Sequence, residues 1–338
     1  MTELETLLAR YDYPLRPEQI AATPASPRDS SKLLCFSRTT GKTQIDVFRN
    51  IDKYLPRDAL LVFNDTKVIP ARIPGRLRSG GKVELLCTRF DGAEISALCE
   101  RFLPVGEVIT FTETASAEVE EKNGSEYVLR LRGIKNMRPL LQKFGTTPLP
   151  PYLKNSPLSE SARRKKYQTV FARHDGSIAA PTASLHFTDR VFEKLSRAGI
   201  ETCYVTLHVN LGTFMPLTQK AVQNGELHEE RFSIPPKSRR KIDRALRLKR
   251  PIIAVGTTAL RAVESEYSGI RGSTRLFIQE GYKFRAVNGL VTNFHVPRSS
   301  LMMLVSALVG RERLLSLYSF AEKNGFRFLS FGDAMLLL

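Results

Sequence analysis

Residues 81–100 read GKVELLCTRFDGAEISALCE. Two short runs alternate with period two on either side of Asp91-Gly92. A dipeptide of that kind between alternating runs is the strongest local signal for a β-hairpin, because its tight turn needs positive φ at both central residues. The same texture continues outward in "GEVITFTE", "ASAEVEEK" and "EYVLRLRG", punctuated at Gly80-Gly81, Val105-Gly106 and Asn123-Gly124. An antiparallel meander over residues 72–150 is therefore expected. It would close into a small barrel, since closure removes the edge strands that invite aggregation.

Beyond this block the pattern changes. Upstream, "LLCFSRTTGKTQIDVF" reads as two β-runs joined at a Thr-Gly turn, and "ALLVFNDTKVIPARI" as a buried strand ending in a polar corner. The "GKT" is not a phosphate loop, which needs a glycine where Phe36 stands. Downstream, helix-like runs ("DRVFEKLSRAG", "KSRRKIDRALRLKR", "ALRAVESEY") alternate with apolar runs ("ETCYVTLHV", "PIIAVGT", "TRLFIQ"). Such alternation predicts an α/β architecture with a largely parallel sheet. The expected fold is an α/β main domain, discontinuous over 1–71 and 151–338, interrupted by an all-β barrel over 72–150.

The chain has 338 residues, of which 42% are hydrophobic and 25% charged, which excludes wholesale disorder. Lys+Arg 51 against Asp+Glu 34 gives a formal charge of +17, so an anionic partner is expected, nucleic acid first among the candidates. Simple solubility is the plainer reading of the same charge. The basic runs "RRKKY" and "KSRRKIDRALRLKR" are candidate phosphate contacts or solvated helix faces. Cys35, Cys87, Cys99 and Cys203 form no C-x-x-C pair, so free thiols and a cytoplasmic protein are expected. The N-terminus lacks the pattern of a signal peptide. The most apolar run, "SSLMMLVSALVG", falls short of the roughly 20 residues that span a bilayer, so no membrane partner is expected.

Chemistry-bearing residues cluster in a few segments. "IAAPTASLHFT" places His186 among small residues, with Thr182 nearby. "CYVTLHVNLGTF" delivers His208 at a strand end, followed by Thr213, and ligands of open α/β sheets sit beyond such ends. In "IIAVGTTALRAVES", Thr257 or Thr258 can cap a helix whose free N–H groups favour a phosphate or carboxylate. "VTNFHVPRSSLMML" offers Asn293, His295 and Arg298 before a helix that Ser299 or Ser300 can cap. "LHEERF" sets His228 beside Glu229 and Glu230, an acid–base pair or an exposed charged turn. Core histidines and structural caps explain each segment taken singly. No G-x-G triplet follows a strand and no H-E-x-x-H occurs, so neither a dinucleotide nor a metal is indicated.

Read in order, "SPRDSSKLL", "LLVFNDTKVIPARI", "PLPPYL", "YQTVFA", "AAPTASLHFT", "TLHVNLGTF", "AVGTTALRAVES", "TNFHVPRSSLMMLVSA" and "FGDAML" span nearly the whole chain. Together they closely resemble the S-adenosylmethionine:tRNA ribosyltransferase-isomerase family of queuosine biosynthesis. The resemblance implies an α/β domain interrupted by a β-barrel. It implies transfer and isomerisation of the ribosyl group of S-adenosylmethionine onto 7-aminomethyl-7-deazaguanine at the wobble position of tRNA with a GUN anticodon. Epoxyqueuosine-tRNA, adenine and methionine are the products. S-adenosylmethionine is then consumed as a co-substrate, no resident cofactor is required, and a monomer is expected. Carried onto this sequence, His186, His208 and His295 become base or acid candidates, with Glu230 a further catalytic candidate. Thr182, Thr213 and Asn293 become polar positioners and Arg298 a contact for carboxylate or phosphate, with Thr257 and Thr258 at the helix start as further substrate-binding candidates. The family usually has glycine at the positions of Ser184 and Asn210, and serine at those of Ala259 and Glu229. Another tRNA-modifying activity with the same cosubstrate, or a non-catalytic tRNA-binding paralogue, are the rival readings.

Overall fold

The computed structural model describes residues 2–90, 92–210 and 217–338. After α1 (Glu3–Ala9), the hairpin of β1 (Lys32–Phe36) and β2 (Thr43–Val47) pairs in antiparallel register, Leu34 opposite Ile45. The fully buried β3 (Leu60–Asn64) and the short β4 (Thr66–Val68) follow. Six strands then form a closed barrel: β5 (Arg72–Arg76), β6 (Lys82–Arg89), β7 (Glu94–Leu98), β8 (Val108–Thr112), β9 (Ala115–Asn123) and β10 (Glu126–Arg132). Their inward positions, among them Ile73, Leu85, Ile95, Ile109, Ala117 and Leu129, make a core of their own. Arg72 and Thr146 exchange backbone hydrogen bonds of 3.2 and 2.7 Å, so the chain leaves and re-enters the main domain side by side.

α2 (Arg138–Phe144) closes the barrel block, with Met137 and Leu141 in its apolar core. The return path runs through α3 (Glu160–Lys166), β11 (His174–Ser177), α4 (Asp189–Arg197), β12 (Glu201–Leu207), α5 (Gln219–Asn224), β13 (Glu226–Ser233) and α6 (Pro236–Arg247). β14 (Ile252–Val255), α7 (Thr257–Tyr267), β15 (Ser273–Leu276), β16 (Gly289–Asn293), α8 (Ser300–Val309), α9 (Arg311–Lys323) and β17 (Ala334–Leu337) complete it.

The main sheet runs β15-β13-β12-β3-β14-β16-β17-β1-β2. Only its centre matches the expectation of parallel strands: β12, β3, β14 and β16 run together, and β17 with β1, while the other four ladders are antiparallel. Of these four, β1–β2 is a hairpin, whose partners must be antiparallel, while the other three join strands separated by helices. Apolar side chains cover both faces of the central strands, as parallel strands require.

Local departures from the sequence reading have simple causes. At the β9–β10 turn only Gly124 has positive φ, because Asn123 belongs to the ladder and pairs with Glu126. Asp91 lies outside the described residues, while Gly92 has φ +79°. The C-terminal helical run is two helices, broken at Gly310. Among the described residues, no helix is long and apolar enough to cross a membrane.

Candidate functional site

The parallel strands β12, β3, β14 and β16 finish on one edge, where the sequence places His208, Asn64, Gly256 and Asn293. Asn64 ties this edge together. Its amide nitrogen donates to Leu207 O at 2.9 Å and Thr258 Oγ1 at 3.1 Å, and its oxygen accepts from the Leu207 and Thr66 amides. Nothing in the polar "NDT" corner announced that role. The contacts exist only once β3, β12 and the first turn of α7, far apart in sequence, are brought together.

Against this edge the segment 178–187 turns through a 3-10 helix at Thr182–His186. A cavity of about 90 Å³ opens between them. Thr182, Thr257, Thr258, Thr292, Asn293 and His295 supply its polar walls, Ala179, Ala180 and Ala183 its close ones, and among the described residues no charged side chain lines it. The small residues around His186 thus let the backbone wall a cavity.

His186 itself turns away from it. The ring stacks on Phe48 with centroids 4.9 Å apart, Nδ1 lies 2.8 Å from Ser31 Oγ, and Nε2 lies 3.3 Å from Asn293 Nδ2. Burial, with the Arg327 charge adding to it, pushes the imidazole down to about 3. Asn293 Nδ2 also donates to Leu329 O at 3.2 Å. A carbonyl only accepts, so this contact fixes which way the amide faces. His186 Nε2 must then be an acceptor, its proton sits on Nδ1 toward Ser31, and Asn293 Oδ1 is left buried without a partner among the described residues. His295 does line the cavity. Its Nε2 lies 2.7 Å from Thr292 Oγ1, and burial pushes the ring down to about 4.

His208 belongs to a second space, a groove of about 650 Å³ between barrel and main sheet. Thr66 Oγ1 holds His208 Nδ1 at 2.8 Å. Gly176, at φ +152°, lies so close that a Cβ there would sit 2.9 Å from the imidazole, which only glycine permits. Arg89 and Arg138 reach the groove from the barrel side, Arg231 and His228 from β13, with Glu126, Asp175 and Glu229 among them. The Arg138 guanidinium sits over the Phe90 ring at 5.0 Å. Val209, next to His208, lines the smaller cavity, so the two spaces meet across one strand end.

The remaining candidates divide. Glu230 is buried and ion-paired with Arg261, and "LHEERF" is the strand β13 rather than a charged turn. Its alternation sends Glu230 inward and leaves His228 and Glu229 at the surface, so those two are not a closed acid–base pair. Arg298 is exposed, 3.6 Å from Asp12, and lines neither space. Its φ of +58° aims its backbone N–H at Tyr11 O instead. Thr213 lies outside the described residues. Neither Thr257 nor Thr258 caps α7: Gly256 is the N-cap, no side chain caps it, and Thr258 Oγ1 accepts from Asn64. Ser299, as expected, caps α8.

Ser184 and Asn210 have no positive φ, so neither position strains a non-glycine residue. Ala259 is buried inside α7, and Glu229 pairs with Arg275 at 3.1 Å. Of the "RRKK" run, Arg163 and Arg164 are spent on loop carbonyls and Glu160, leaving Lys165 exposed. α6 keeps Lys237, Arg240, Arg244 and Arg247 toward solvent.

Comparison with known proteins covers the same ground. A family model described as a queuosine biosynthesis protein matches residues 8–337. An S-adenosylmethionine:tRNA ribosyltransferase-isomerase of Gloeobacter violaceus is 43% identical, covering 99% of this chain and 97% of the relative. One from Aquifex aeolicus is 41% identical over 98% of this chain and 99% of its own length. The crystal structure of S-adenosylmethionine tRNA ribosyltransferase from Thermotoga maritima superposes with a TM-score of 0.56 at 31% identity, covering 97% of this chain and all of that one.

Proposed function

The chain belongs to the queuosine biosynthesis protein family, and from that premise we propose how its strand-end cavity and groove carry out the reaction. The protein is an S-adenosylmethionine:tRNA ribosyltransferase-isomerase. It moves the ribosyl group of S-adenosylmethionine onto the aminomethyl nitrogen of 7-aminomethyl-7-deazaguanine in tRNA. The observation that supports this division of labour best is the pair of adjoining spaces. A largely apolar cavity with a few hydroxyl and amide groups suits a small substrate end, and the neighbouring groove carries the arginines that suit RNA phosphates.

The sulfonium acidifies the ribose C5′–H, so one group must take that proton. A base works best when its pKa lies near the working pH. His295, pushed down to about 4, is poorly matched. His186 lines neither of these two spaces and acts through Asn293 as a positioning residue. His208, part-exposed in the groove and oriented by Thr66, is our choice for the base. The base takes the C5′ proton, the C1′–N bond breaks, and adenine leaves with a proton on its nitrogen as C5′ and C1′ join. The uncharged aminomethyl nitrogen then takes the ring carbon that the ring oxygen vacates, shedding its own proton to solvent, while that oxygen closes the epoxide at C5′ and the C–S bond breaks to release methionine as a neutral thioether. S-adenosylmethionine is spent as substrate, and no resident cofactor takes part in this scheme. We read the tRNA as carrying a GUN anticodon, and the enzyme as a monomer of the cytoplasm. Sizing chromatography checks the oligomeric state. Incubation with precursor-modified tRNA and S-adenosylmethionine, followed by nucleoside analysis, tests the reaction. Epoxyqueuosine is expected, and a methylated nucleoside instead would refute it.

A further inference from the structure

We propose that the outer face of α6 is a phosphate track for the helical stem flanking the target nucleotide of the tRNA, with Lys237, Arg240, Arg244 and Arg247 as its contacts. The proposal rests on the tRNA substrate assigned above and extends its footprint beyond the groove.

The groove is too small for an RNA helix. Its volume of about 650 Å³ is that of a site for a drug-sized ligand, room for a nucleotide and its neighbours. The stem that carries them must cross the surface beside the mouth, and α6 begins there. Arg231, Phe232 and Ser233 of β13 line the groove, and the helix opens at Pro236. It then covers the edge of β12 that β13 leaves open. The Tyr204 amide donates to Ser238 Oγ at 3.3 Å, and Lys241 Nζ donates to Thr202 O at 2.9 Å. The helix therefore leads away from the groove, back toward the start of β12.

Its cations stand on one side. Ser238, Ile242 and Ala245 are buried, whereas Lys237, Arg240, Arg244 and Arg247 are exposed. Three or four residues separate each from the next, so they form one stripe about 15 Å long. Neighbouring acids are taken by other groups: Glu266 by Arg239 and Arg271, Glu201 by Arg250, and Asp243 by the Tyr267 hydroxyl. Arg244 adds only its field at Glu201. Among the described residues, no carboxylate forms an ion pair with any of the four. Like charges at this spacing weaken a helix, and Lys237 lies in the first turn, where the dipole disfavours a cation. The stripe thus works against the helix that bears it, and a polyanion supplies the missing countercharge. The basic run of α3 is the contrast, since Arg163 and Arg164 are consumed by Glu160 and loop carbonyls.

Anisotropy titrations of the full-length protein between about 50 and 200 mM salt test this with two probes, precursor-modified tRNA and a short single strand carrying the same modified base. Lys237→Gln, Arg240→Gln, Arg244→Gln and Arg247→Gln should each reduce the salt slope of log K for the tRNA by about 0.7–0.9, and the fourfold variant by about 3. Binding of the short strand should stay as in the unaltered protein. Neutralising Lys42, Lys53, Lys165 and Lys323 together removes the same charge from other exposed positions and should leave the tRNA slope unchanged. Single exposed substitutions cost little stability, so the test stands even if the fourfold variant does not fold. An unchanged slope in all four single variants would overturn the proposal, leaving the face to solvent or to an acidic protein. Equal weakening of both probes would overturn it too, as the mark of a general field rather than a stem contact. Ribosyl transfer is measured separately, so failure of the reaction and failure of this contact are distinct results.

Discussion

His208 is held from two sides by groups that do nothing else at the site: the Thr66 hydroxyl, and a glycine whose missing side chain makes room for the ring. An imidazole fixed in this way at the mouth of a groove is suited to proton transfer. His208→Gln should lower kcat for adenine release by about 10²- to 10⁴-fold, the usual contribution of a general base. S-adenosylmethionine affinity should stay within a few-fold, read by calorimetry beside single-turnover kinetics. Near-normal turnover would remove His208 from the reaction. The sequence placed His208 at a strand end and Asn293 and His295 before a helix, and the structure finds them there, because local patterning fixes where an apolar run stops. It could not show that His186 faces Phe48, since that depends on a segment about 140 positions away. Gly176 carried no motif at all, and its importance appears only when the His208 ring is beside it.

At the scale of elements, β13 shows what alternation does to a charged stretch. Glu230 points inward to the Arg261 guanidinium, while Glu229, one residue before, meets Arg275 in solvent. Removing one partner of a buried pair leaves the other charge uncompensated, at a cost of about 3–5 kcal/mol, whereas exposed pairs contribute about 1 kcal/mol or less. Glu230→Gln should therefore lower the denaturant-derived stability by that larger amount and Glu229→Gln hardly at all. Equal effects would contradict the assignment of Glu230 to structure. The sequence showed two acids beside a histidine but not that they belong to a strand, because β13 is short of β-branched residues and gains its strand geometry from neighbours β12 and β15. The barrel strands were legible for the opposite reason. Their alternation and glycine turns are local, and closure follows from the need to leave no edge.

For the whole molecule, burying neutral imidazoles has a measurable consequence. Unfolded histidine titrates near 6.5, while burial holds His186 near 3 and His295 near 4. Below pH 6.5 the unfolded chain takes up protons that the folded one refuses, so stability falls as pH drops toward the folded values and is fully present above 6.5. Each imidazole adds a slope of up to about 1.4 kcal/mol per pH unit. Urea midpoints between pH 4.5 and 7.5 should show this decline, and a His186→Gln, His295→Gln double variant should flatten it. A decline that survives unchanged would mean the two rings are not buried neutral.

The most direct test of the account gives precursor-modified tRNA a doubly labelled S-adenosylmethionine, with one label in the ribose and the other in the methyl group. The account predicts ribose label on the tRNA in equal amount to the free adenine released, with all methyl label leaving as methionine. Methyl label on the tRNA, or adenine released without ribosyl transfer, would contradict it.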